Sequence, residues 1–158
     1  MLIQKAIDRL HRLPAHVQID WLDLTWRQCA RRAIDGKTRG GREVRIVQRL
    51  GQWLKHEDVL WQADAHAIVL NVLPDLVLVG KPDNPKSLAV LLYEIGNLHE
   101  PVQIEGEWII APADGPIEAA FAQAGVAFDL QTRRFEPTCR STVQLIVPPQ
   151  IPIDRRTG

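Results

Sequence analysis

The sequence predicts an α+β chain: an N-terminal all-β domain over residues 1–73, then a C-terminal ferredoxin-like domain of β-α-β-β-α-β order over residues 74–137. Three observations predict it. Apolar and polar residues alternate with period two in the first half, the pattern of half-buried strands. Two helix starts, Asp83-Asn84-Pro85 and Asp114-Gly115-Pro116, interrupt the second half, each a capping side chain followed by a proline that suits the first helical turn. Pro74 falls between the two patterns and sets the expected boundary.

In the first half, Val17, Ile19 and Trp21 alternate with Gln18 and Asp20 as one strand. An arm over residues 28–38 leads to Arg39-Gly40-Gly41, a turn that glycine makes cheap because it accepts positive φ. Residues 43–50, with Val44, Ile46 and Val47, return as the second strand of a hairpin. Residues 53–60 read as a short loop and then a strand, and residues 67–73 as a buried apolar strand.

In the second half, residues 75–80 form a strand around Leu76-Val77-Leu78-Val79. Leu88, Leu91, Leu92 and Ile95 then recur at helical spacing, and Gly96 is expected to end that helix in the left-handed conformation. Residues 101–104 are extended, Glu105-Gly106 turns, and residues 107–111 return as a strand. Ile117, Ala120, Phe121 and Ala124 make the stripe of a second helix that Gly125 ends, and Val126, Phe128 and Leu130 alternate as a last strand. Residues 138–158, with Pro148, Pro149, Pro152 and Arg155-Arg156, read as a loose tail.

Composition narrows the function. Of 158 residues, 46% are apolar and 24% charged, enough for a packed core. Nineteen basic residues balance nineteen acidic ones, and a nucleic-acid binder would show a basic excess. The local cluster Arg31, Arg32, Lys37, Arg39 and Arg42 reads as a solvated β surface. Neither a signal peptide nor an apolar run of about 18 residues is visible, so the chain is expected to be cytoplasmic and without a membrane partner. Cys29 and Cys139 are far apart, with no CxxC pair to hold zinc. No GxSxG, phosphate-loop or HExxH motif occurs, so catalysis is not expected.

His99 is the candidate that carries chemistry. It follows Gly96 by three residues and precedes Pro101, a stiff and exposed corner on this reading. Imidazole suits borderline metals such as nickel, copper and zinc. One histidine holds such a metal poorly, and a two-fold dimer would supply its second copy. The plainer alternative is an ordinary surface histidine. His11, His16, His56 and His66 are expected at the surface, Cys29 in packing, and Cys139 in or near the tail. The five tryptophans are core candidates, with Trp26 or Trp53 as an exposed partner anchor.

The segment Tyr93-Glu94-Ile95-Gly96-Asn97-Leu98-His99-Glu100-Pro101-Val102-Gln103 resembles the signature of the urease accessory protein UreE family. That signature is tyrosine, two variable residues, glycine, asparagine, arginine, histidine and a proline-containing strand start. Leu24-Thr25-Trp26, Gly41-Arg42-Glu43-Val44, residues 54–60 and Ala113-Asp114 are similar to further family segments, so the resemblance covers roughly residues 1–137. It implies a cytoplasmic homodimer that carries nickel, with one Ni²⁺ held between the two copies of His99 and Tyr93, Gly96, Asn97 and Pro101 supporting the motif and the interface. It implies partners too: apo-urease, and a maturation complex that includes a GTPase, contacted through the N-terminal domain. Zn²⁺ or Cu²⁺ would compete for such a site.

This chain departs from the family's pattern in three places. Leu98 stands where arginine is usual, Gly115 where many members have a histidine, and no histidine follows His99. Storage of several ions is therefore not expected. A dimeric adaptor of the maturation complex with little metal carriage is the rival expectation, and a small enzyme on the same fold the remote one.

Overall fold

The computed structural model describes residues 1–49 and 53–138. Leu50, Cys139 and the rest of the expected tail lie outside the described residues.

The first half is built of short strands: β1 (Leu2–Ile3), β2 (Asp8–Arg9), β3 (Gln18–Leu24), β4 (Ala33–Lys37), β5 (Glu43–Val47), β6 (Asp58–Ala63) and β7 (His66–Val72). They form a three-stranded sheet of order β1-β5-β4 and a four-stranded sheet of order β2-β6-β7-β3. The expected hairpin is β4 against β5, antiparallel, with Gly41 in its turn at φ 88°. The expected arm over residues 28–38 is instead the end of a one-turn helix, α1 (Trp26–Cys29), followed by β4. Thr25 starts α1 with a capping box: its hydroxyl accepts from the Gln28 N–H, and the Gln28 side chain accepts from the Thr25 N–H. Pattern reading missed α1 because four residues are too few to show a helical period. The basic cluster is exposed, with Arg39 forked onto Asp23 at 2.8 and 3.0 Å and Arg42 lying 4.8 Å over the Trp61 ring.

The second half runs β8 (Asp75–Gly80), α2 (Pro85–Asn97), β9 (Gln103–Glu105), β10 (Trp108–Pro112), α3 (Gly115–Gln123) and β11 (Phe128–Arg133). The sheet order β11-β8-β10-β9 is the fourth, first, third and second strand of the unit, all antiparallel. This is the ferredoxin-like arrangement that the element order predicted. Both helix starts form as expected: Asn84 accepts from the Ser87 N–H at 3.0 Å, and Asp114 accepts from the Ile117 N–H at 3.0 Å. Gly80 sits where a Cβ would lie 2.7 Å from both the Ala127 carbonyl oxygen and the Phe121 ring, so glycine lets β11 and α3 close onto β8.

The period of two gives the central strands two different burial environments. Leu78, Ile109 and Ala111 face the helices and pack with Leu91, Ile95, Ile117 and Phe121. Val77, Val79 and Ile110 join Leu22, Leu24, Ile46 and Leu70 of the first half in one apolar cluster, which also takes in Phe135. The core therefore runs across Pro74, and the C-terminal sheet is covered by helices on one side and by the N-terminal half on the other. Leu130, one of the residues that alternate in the expected last strand, is 55% exposed on β11, an edge strand of its sheet. No helix among the described residues is long and apolar enough to cross a membrane.

Candidate metal centre

The corner after α2 holds the candidate ligand, and its backbone differs from the expected one. The helix does not end at Gly96 but runs through it to Asn97, with Leu98 as the capping residue in a right-handed conformation. The left-handed residue is His99 itself, at φ 58°. Its N–H donates to the Gly96 carbonyl at 3.0 Å, and the Glu100 N–H donates to the Ile95 carbonyl at 3.4 Å. These two bonds form a Schellman motif, with His99 in the position that glycine usually fills. A side chain there crowds the backbone and costs of the order of 1–2 kcal/mol. The geometry turns the chain sharply, and His99 lies exposed on the outside of the corner. Pro101 and Val102 are buried directly after it, which anchors the return into β9.

Tyr93 and Leu98 are 67% and 40% exposed, and Asn97 is exposed beside them. Gly96 is unusual. Its φ is not positive, and a Cβ added to it would meet nothing within 4 Å. Nothing among the described residues therefore requires glycine, although glycine within a helix costs about 1 kcal/mol relative to alanine. Ala89, Tyr93 and Gly96 follow one another along an exposed face of α2 that leads to His99.

The N-terminal half reaches this corner through α1. The Arg27 guanidinium lies 3.9 Å from the Glu100 carboxylate and 4.3 Å over the Trp26 ring. Trp26 is buried, contrary to the expectation of an exposed anchor. Its ring meets Phe135 edge-on at 5.0 Å and Trp53 in a stack at 6.5 Å, and its Nε1–H donates to Asp75 at 2.9 Å. Trp53 is half-buried, and the exposed tryptophan is Trp108 on β10. Sequence reasoning missed Arg27 and Glu100, because a pair 73 positions apart leaves no local signal.

The other candidates sit apart from His99. His11, His16 and His66 are exposed, as expected. His56 is half-buried rather than fully exposed: its side chain is 19% exposed and its Nδ1 accepts from the Val72 N–H at 3.3 Å. Burial, with the Arg134 guanidinium nearby, holds the His56 imidazole below its ordinary value of 6.5. Cys29 is buried, and desolvation pushes its thiol up to about 12, so it is a packing residue and an inert one. Among the described residues no group of three or more His, Cys, Asp or Glu side chains is placed to hold a metal ion. Among the described residues the corner thus offers one imidazole and no preformed cage.

Residues 75–144 match the family described as UreE urease accessory protein, C-terminal domain. The chain is 32% identical to a urease accessory protein UreE of Flavobacterium johnsoniae, over 80% of this chain and 77% of that protein. It is 32% identical to the one of Actinobacillus pleuropneumoniae, over 78% of this chain and 67% of that protein. It is also 28% identical to that of Acetivibrio thermocellus, over 92% of each chain.

Proposed function

Because the chain belongs to the UreE family of urease accessory proteins, we propose that it is a homodimeric nickel carrier that delivers Ni²⁺ to apo-urease in the cytoplasm. Membership itself assigns a role in urease maturation, and the role is that of an accessory protein, not of an enzyme. The finer reading rests on one observation: an exposed imidazole occupies a left-handed helix end that favours glycine. Glycine would suit that backbone better, as it would at the left-handed Glu57 and Asp64, and ligation gives a reason for a histidine at this one. Strain that the fold tolerates at an exposed polar residue is a common mark of a functional position.

The donor set fits nickel as cargo. Imidazole nitrogen suits borderline divalent metals, and Zn²⁺ or Cu²⁺ would compete on the same grounds. A single chain supplies one nitrogen, so two copies of His99 would share one ion across a two-fold axis. The bare face of α2 supports that pairing. Gly96 leaves room for a second backbone to approach, and Tyr93 and Leu98 offer apolar contact area around the histidine. With few protein ligands the ion keeps exchangeable positions, as a carrier requires, since the receiving site must displace it. Delivery would run through the maturation complex and its GTPase. Protonated imidazole cannot ligate, so binding would be lost in acid.

A second reading is favoured by the same isolation of His99. A dimeric adaptor of the maturation complex would need no cage, and among the described residues there is none. Calorimetric titration with nickel separates the two. One Ni²⁺ per dimer in the parent, lost in His99→Ala with the dimer intact, supports the carrier. Equal binding in both proteins, or none in either, removes His99 as the ligand and leaves the adaptor.

A further inference from the structure

Glu100 differs from its counterpart at the other helix end of the same domain. The residue after Gly125 is Val126, which is buried in the helix-side core. Glu100 makes no such apolar anchor. Its side chain points instead to Arg27 in the N-terminal half, and its own N–H bond to Ile95 is long at 3.4 Å. Arg27 rests on a firm base: α1 is capped by Thr25 and Gln28, and Trp26 beneath the guanidinium is fixed by Phe135 and Asp75. A non-glycine residue in the left-handed region persists only where its surroundings over-determine it. Here the His99 corner has local bonds on one side and the Arg27–Glu100 ion pair on the other.

We infer that Arg27 is a positioning residue for the metal site: through Glu100 it holds the His99 corner in its ligating conformation and ties that corner to the N-terminal half. The inference rests on the nickel-carrier reading. It gives the contact between the two halves a consequence, because whatever draws Arg27 away from Glu100 loosens the ligand.

The test is nickel calorimetry on the full-length parent, Arg27→Ala, Glu100→Gln, the double variant and Arg27→Lys, with His99→Ala as reference. Glu100→Gln leaves the Trp26 platform untouched, so it reports even if Arg27→Ala disturbs α1. Positioning predicts that both single variants weaken binding by about two- to fivefold, the range of a half-exposed ion pair. The double variant should match either single one, and Arg27→Lys should recover part of the loss. The His99 ring signals in proton NMR of the metal-free protein should shift in both single variants. Opposite changes, with Arg27→Ala binding more tightly and Glu100→Gln more weakly, would mean that the two charges act only through their field and would overturn positioning. Parent-like binding in both would overturn it as well. If His99→Ala itself binds like the parent, the carrier reading fails first and this inference falls with it.

Discussion

The two helices of the C-terminal half end in the same motif, built on different residues. At the end of α3, Gly125 is left-handed at φ 67°, its N–H donates to Ala122 at 3.0 Å, and the Val126 N–H donates to Phe121 at 3.0 Å. At the end of α2, His99 takes the left-handed place at φ 58°, with the matching bonds at 3.0 and 3.4 Å. The α3 end has the residue that the backbone prefers and an apolar lock, Val126 beside Phe121 in the core. The α2 end has neither, and its following residue faces an arginine from the other half. One end is optimised for stability. The other carries an exposed imidazole in the left-handed region, the conformation that Glu57 and Asp64 also take, and on the proposed reading the difference between the two helix ends is where ligation has displaced stability.

Exchanging the residues tests that contrast most strongly. Gly125→Ala forces a side chain into the left-handed region and should destabilise the protein by about 1–2 kcal/mol. His99→Gly relieves the same conformation and should stabilise it by about 0.5–1 kcal/mol, with nickel binding lost. Urea unfolding of the metal-free proteins measures both, and a His99→Gly variant no more stable than the parent would break the comparison. Gly96→Ala sharpens it. Alanine suits an exposed helix better and should leave the protomer as stable or more so, by up to about 1 kcal/mol. In the proposed dimer the added methyl group would meet the second copy and should weaken association roughly tenfold, the cost of modest overpacking. Sedimentation at graded concentrations measures this, and unchanged association would place the dimer contact away from α2.

The smallest effect sets the pH at which these comparisons are read. His56 is held below its ordinary value by burial first and by Arg134 second, while Glu57 and Glu136 pull the other way and Arg9 adds to the lowering. As pH falls through 6.5, the unfolded chain takes up this proton before the folded one does. Stability present above pH 6.5 is therefore lost as pH falls toward the lower folded value, where the loss levels off. His56→Gln should flatten that part of the stability profile, and an unchanged slope would remove His56 as its source.

Much of the fold was legible because its signals are local. The caps at Asn84 and Asp114, the turn at Gly41 and the left-handed Gly125 each announce themselves within four residues. The exception is instructive. Gly96 looked like a helix stop, yet the helix ignores it, because a glycine inside a helix is permitted and the stop was set three residues later. For the site, His99 was legible as an isolated histidine between a glycine and a proline, and resemblance singled it out. Trp26 misled for the opposite reason. Its exposure depends on Phe135 and Trp53, which meet it only after folding.

By itself the sequence determined the order of elements in the second half, the ferredoxin-like unit, the family and the one histidine worth testing, since periodicity, capping and motif are properties of neighbours along the chain. Only the tertiary structure decided the rest. It put Val77, Val79 and Ile110 into a core shared with the N-terminal half, buried Trp26 and part of His56, and brought Arg27 to Glu100. It also placed the left-handed strain on His99. Those outcomes depend on which distant surfaces meet, and on where a helix must stop so that the strand after it, β9, can pair with β10.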